Sequence, residues 1–227
     1  MKKFFAIFLL ANLVTDSISA AVISTASLTP GGTDLVTWNS WKGQSFSIAE
    51  GQAPVRVIAA NLTMDVVMPN RYVTVRVVGA NPGDGTPNME DIRAELFTSQ
   101  QQQGAMGTQL SFEAPPDQIL PIMESGNFWL IVGMTEVDLD EATPSGLLGW
   151  HFSTTHGQDV TTTPGWSVGR SIAISGTSGS GWIIAEETPF LMSITAVTVP
   201  EPSSAFGLAG GALLLLRRRY RAKSPLG

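Results

Sequence analysis

The 227-residue sequence contains no cysteine, only two histidines and two tyrosines, and just 14% charged residues. The absence of cysteine excludes a disulfide scaffold, a thiolate zinc site, a cysteine nucleophile and a lipidated cysteine behind a leader. Little charge together with 43% hydrophobic residues excludes general disorder. Basic residues are scarce in the centre of the chain. Residues 21–198 hold 17 acids against 6 bases, a net of −11, whereas the whole chain is −6 because both ends are positive. A body this acidic repels phosphates, so no nucleic-acid partner is expected. Phosphate-binding and dinucleotide-binding glycine loops are missing as well. Ser178 and Ser180, in the run 175–181, do not satisfy G-x-S-x-G, so that stretch reads as a loop and not as a nucleophile elbow. What is abundant is punctuation: 23 glycines and 14 prolines mark many turns.

The two ends read as membrane-directed segments. Lys2 and Lys3 precede the eleven-residue, mostly apolar run 4–14, and Ser17-Ile18-Ser19-Ala20-Ala21 supplies small residues behind it. A spanning helix needs about 17–25 apolar residues, whereas a leader needs about 7–15. Residues 1–20 are therefore expected to be a helical signal peptide, cut by signal peptidase after Ala20 or Ala21. At the other end, Val199-Pro200-Glu201-Pro202 opens the segment 199–204. The apolar run 205–216 follows, then Arg217, Arg218, Arg219 and Arg221 within 217–227. Each proline fixes its own φ and removes an amide donor, which keeps Pro-Glu-Pro extended. Twelve residues of helix rise only about 18 Å, short of a bilayer core of about 30 Å. The arginines are expected to stay cytoplasmic and stop transfer.

This ordered set, Pro-Glu-Pro, a short Gly/Leu-rich helix and an arginine cluster, resembles the PEP-CTERM sorting signal over the last 29 residues. The resemblance implies recognition by a membrane-embedded exosortase and passage through the inner membrane of a Gram-negative bacterium. It further implies delivery to the cell surface or extracellular matrix, with exopolysaccharide as a neighbour. Two departures are the shortness of the helix and the Ala-Lys-Ser-Pro-Leu-Gly end after Arg221.

Between these ends, residues 21–198 are expected to form one all-β domain, a single antiparallel, jelly-roll-like β-sandwich. From Ile58 to Met68 every second residue is apolar, with Asn61, Thr63 and Asp65 between, the mark of a half-buried strand. Pro69-Asn70 then reads as a turn and Val73, Val75 and Val77 share a face, so residues 55–79 are expected to be a hairpin. Further strands are expected at 35–38, 45–48, 92–97, 109–112, 128–133, 167–174, 182–185 and 190–197. Gln44-Ser45-Phe46, the Gly/Pro-rich run 81–87 and Phe128-Trp129-Leu130-Ile131-Val132 together resemble the choice-of-anchor ectodomains that often precede such tails. There a Tyr stands where Phe128 does, and the likeness implies a β-sandwich.

Candidate chemistry is sparse. His151 and His156, with Asp159 nearby, lack the three or four converging ligands zinc requires, and solvated loop histidines are the expectation. Glu136, Asp138 and Asp140 alternate, and Asp84, Glu90 and Asp91 form a second acidic, Gly/Asn-rich segment expected to be a loop. No cofactor is expected, with calcium the one ion such loops could take, although neither has EF-hand spacing. Trp38, Trp41, Trp150, Trp166 and Trp182 could seal the core or present stacking faces to sugar rings. The expected function is that of an exported, non-enzymatic surface or extracellular-matrix protein, associated with exopolysaccharide or biofilm. The alternative is a secreted carbohydrate-binding module with a defined sugar site.

Overall fold

The computed structural model describes residues 20–37, 40–66, 73–97, 105–134, 148–155, 160–176, 179–186 and 188–199. These residues form two antiparallel sheets that face one another across a shared apolar core, an all-β, sandwich-like architecture. The first sheet runs β10 (Thr161–Thr162), β1 (Ala20–Ser24), β13 (Met192–Thr198), β4 (Val55–Val66), β9 (Leu148–Ser153) and β2 (Pro30–Val36). A further strand, β7 (Ala105–Glu113), pairs along the other side of β4. The second sheet runs β12 (Trp182–Glu186), β11 (Trp166–Ser175), β3 (Trp41–Ile48), β8 (Gly126–Met134), β5 (Val73–Ala80) and β6 (Pro87–Leu96).

Alternation in the sequence decides which side chains enter the core. Phe46 and Ile48 of β3, Leu130 and Val132 of β8, and Val75 and Val77 of β5 point inward from one sheet. Ala60, Leu62 and Met64 of β4 with Ile194 and Ala196 of β13 meet them from the other. Phe46 stacks on Phe128 at 5.7 Å and on Trp166 at 6.1 Å, while Trp150 lies 4.2 Å from Phe190. Buried polar groups stitch the margins. Thr25 Oγ1 donates to Phe190 O at 2.6 Å and accepts from the Met192 amide at 2.8 Å. Fully buried Gln44 donates to Gly169 O at 2.8 Å and accepts from the Phe190 amide at 3.0 Å. Every end of that side chain is therefore satisfied, as burial of an amide requires.

The expected hairpin over 55–79 does not form. β4 pairs with β13, β7 and β9, whereas β5 pairs with β6 and β8 in the opposite sheet. Alternation states which face a residue takes but not which strand it bonds to, and here the two runs line opposite walls of one core. The alternation also slips within β4. Ile58 has no partner between the Ala59–Thr195 and Val57–Ala196 pairs, so this bulge turns Val57 inward and leaves Ile58 only partly buried. Strands were not expected at β1, β9 or β10. The remaining expectations fall on β2, β3, β6, β7, β8, β11, β12 and β13 with shifted ends, and Trp38 lies outside the described residues.

Candidate functional site

β1 and β13 are neighbours running antiparallel, with Ala20 opposite Ala196 and Ser24 opposite Ser193. The first described residue and the last strand therefore end side by side at one pole. Val199 continues this strand end, its amide donating to Pro54 O at 2.7 Å. Of the sorting motif only Val199 is described. Pro200, Glu201, Pro202, Arg217, Arg218, Arg219 and Arg221 lie outside the described residues, as does the leader 1–19. Among the described residues no helix is long and apolar enough to cross a membrane.

His151 is not a solvated loop histidine. It sits on β9, and its Nε2 lies 2.7 Å from Asp65 Oδ1, with side-chain exposures of 15% and 14%. An ionised carboxylate only accepts, so Nε2 carries the proton. Gly107, at φ 61°, donates its amide to the same oxygen at 2.6 Å. Desolvation, the largest single influence on Asp65, favours the neutral acid. The hydrogen bonds from His151 and Gly107, with the His151 charge, outweigh it and hold the carboxyl below its ordinary range. His151 Nδ1 is buried with no hydrogen-bond partner among the described residues. The pair joins β9 to β4 and to the start of β7 as a clasp.

A depressed carboxyl pKa means stability that is present above the unfolded pKa of about 3.9 and lost as pH falls through the folded value. Asp65→Asn is therefore expected to be less stable than the parent at pH 7 by about 1.5–3 kcal/mol, the worth of hydrogen bonds to a charged group. That gap should shrink steadily as pH is lowered below about 4. Urea titrations at a series of pH values check this, and a gap independent of pH would refute it.

The acidic candidates do not converge. Asp84 is exposed and accepts from the Thr86 amide at 3.0 Å and the Thr86 hydroxyl at 2.7 Å. Those bonds, the amide's first, hold its carboxyl below the ordinary range. Glu90 and Asp91 are not in a loop but on β6, where Asp91 pairs with Arg93 at 2.9 Å. Among the described residues no three His, Asp or Glu side chains are grouped as a metal ion would require. Glu136, Asp138, Asp140, His156, Asp159 and Ser178 lie outside the described residues, and Ser180 accepts a bond from Ser175 through its carbonyl.

The tryptophans are mostly interior. Trp150 and Trp166 belong to the main core. Trp41 and Trp129 are buried on the outer face of the second sheet, in a smaller cluster with Val78, Ile131 and Ala173. Half-buried Trp182 packs against that cluster. Two loops lie over this outer face. Gly85 accepts the Trp129 indole N–H at 2.9 Å, and Gly179 lies beside the Trp41 ring.

Next to this cluster the outer face carries a cleft of about 420 Å³, open to solvent on one side. Its floor crosses three strands, with Ser47 of β3 opposite Asn127 of β8 and with Gly169 and Ser171 supplied by β11. Ser45 and Trp129 form the next row, and Asp84, Gly85 and Ile184 contribute to the walls. β11 has two extra residues between Val168 and Ile172, and the bulge brings Gly169 to the cleft. A Cβ at Gly169 would collide with the Ser45 hydroxyl, which donates to Ser171 O at 2.8 Å. Sequence reading missed this cleft because its residues come from five separate segments and no local spacing joins them. No protein-family model matches the chain, and no match is found among curated proteins.

Proposed function

We propose that the chain is an exported, non-catalytic surface or extracellular-matrix protein, sorted by a PEP-CTERM tail. In this reading 1–20 is the signal peptide, 21–198 the ectodomain and 199–227 the sorting segment, an exosortase substrate. Of the strands, β1, β13, β4 and β7 lie side by side in one sheet and β3, β8, β5 and β6 in the other, an order that supports the jelly-roll reading. The observation that carries the reading is the common pole. Antiparallel pairing of β1 with β13 puts Ala20 and Thr198, the strand ends next to the two apolar segments, at one pole. A folded body can then stand on a membrane through either end without being threaded across it. A cut after Ala20 or Ala21 would spare Val22, Ile23 and Ser24 of β1, so leader removal is compatible with the sheet. Burial of Trp41, Trp129, Trp150 and Trp166 weighs against sugar recognition by flat exposed aromatic platforms, and so against the alternative in its simplest form.

The test is fractionation in a host carrying an exosortase. Glu201→Ala leaves the apolar run and arginines intact, so membrane insertion should persist while release to the surface or medium falls to background. Release of Glu201→Ala at the parental level would sink the reading.

A further inference from the structure

We propose that the cleft on the outer face of the second sheet is a binding site for a neutral saccharide. This rests on the surface-protein reading and gives its association with a polysaccharide a place on the molecule. The chemistry of the lining carries the assignment. Asn127 is exposed on β8, and its amide makes no bond to another described residue. Asp84 accepts both Thr86 bonds through Oδ1, and among the described residues no other side chain bonds its carboxylate. Ser47 shares a hydrogen bond with the Ser167 hydroxyl at 2.7 Å and, as a hydroxyl, keeps further acceptor capacity. Gly85 holds the Trp129 indole in place, so its rim and Ile184 make a fixed apolar side.

Hydroxyl, amide and carboxylate acceptors beside a small apolar wall suit a ligand that carries hydroxyls and C–H faces together. The volume falls at the small end of the roughly 300–1,000 Å³ in which small ligands are held. Other ligand classes fit less well. No cationic side chain lines the cleft and Asp84 does, which disfavours phosphate, sulfate or uronate groups. One carboxylate is too few for a divalent cation. An extended peptide would need an open sheet edge, but β3, β8 and β11 are each bonded on both sides. Recognition here is by hydrogen bonds from a rigid sheet face, with the bulge at Gly169 making the depression.

The probes are neutral hexasaccharides of cellulose, xylan, mannan, dextran and galactan, with an alginate hexamer as the acidic comparator. They are titrated against the full-length chain in detergent micelles, read by tryptophan fluorescence and by saturation-transfer NMR. Saturable binding of at least one neutral hexamer is expected. Asn127→Ala should weaken it about tenfold, equivalent to about 1.4 kcal/mol, and Asn127→Trp, which fills the cleft, should abolish it. Melting temperatures of both variants should match the parent. No saturable binding by any neutral hexamer, binding only of alginate, or undiminished binding by Asn127→Trp would each overturn the proposal. Delivery is scored separately in the exosortase host. A parent chain that is delivered but does not bind refutes the cleft alone, and a parent chain that binds but is not delivered refutes the sorting reading.

Discussion

Replacing Trp150 by Ala is expected to lower the unfolding free energy by about 3–5 kcal/mol, the usual cost of deleting a fully buried large aromatic. Three losses coincide there. Trp150 is 0% exposed, its ring stacks on Phe190 at 4.2 Å, and its indole N–H donates to Leu191 O at 3.2 Å. β9 meets β4 through three register pairs, with Met64 opposite Trp150 at one end of them, and Leu191 donates its amide to His151 O beside that end. The loss should therefore loosen β9 and, through it, β2. At about 2–4 °C per kcal/mol for a domain of this size, the melting temperature should fall by roughly 10 °C. Trp150→Phe keeps a ring on Phe190 and forfeits the hydrogen bond, so its cost should be less than half as large. Differential scanning calorimetry of the three proteins decides the matter, and a fall of only a degree or two in Trp150→Ala would show that Trp150 is not holding β9.

Gly133→Val should be the most damaging change on the other sheet. Gly133 is on β8 and faces outward, and a Cβ built on it would run into the six-membered ring of Trp41. Trp41 is only 6% exposed and lies against Arg76, whose guanidinium is 5.8 Å from the ring. Three further glycines on this sheet are crowded by side chains, Gly43 by Ile131, Gly79 by Asp91 and Gly169 by Ser45. Valine suits a strand intrinsically, yet here the ring must swing out, and overpacking of this kind costs about 3 kcal/mol at the upper end of its range. A red-shifted tryptophan emission and a melting temperature lower by about 8 °C are expected. Trp41→Ala removes the obstacle, so adding Gly133→Val to it should cost far less than in the parent. Additive effects in that double-mutant cycle would refute the contact as the cause.

What the sequence could show follows from how local each signal is. The run from Ala60 to Met64 announced a half-buried strand because its period of two is local, and the core contains those residues. Its partner was not legible, since β13 and β7 lie far along the chain and any alternating run fits any register. β9 escaped notice because Leu148-Gly149-Trp150-His151-Phe152-Ser153 is short and carries bulky residues on both faces. β1 was hidden because its alanines were absorbed into a cleavage site. His151 looked solvated because its partner, Asp65, is 86 positions away and becomes a neighbour only when β9 pairs with β4. The cleft is harder still. Ser47, Asn127 and Gly169 are ordinary residues in unremarkable contexts, and only the register of β3, β8 and β11 makes them a surface.

The placement of β13 has a mechanical consequence. In the proposed reading, where the tail holds the membrane, any drag on the body would be transmitted through Val199 along the axis of β13. That strand lies between β1 and β4 and is bonded to both. Antiparallel hydrogen bonds run perpendicular to the strands, so a pull along β13 shears both ladders together and does not open them one rung at a time. A terminal strand at a sheet edge would peel under the same load. This one must slide past two neighbours at once, so a tether at this end would enter the body at a place that resists being drawn out.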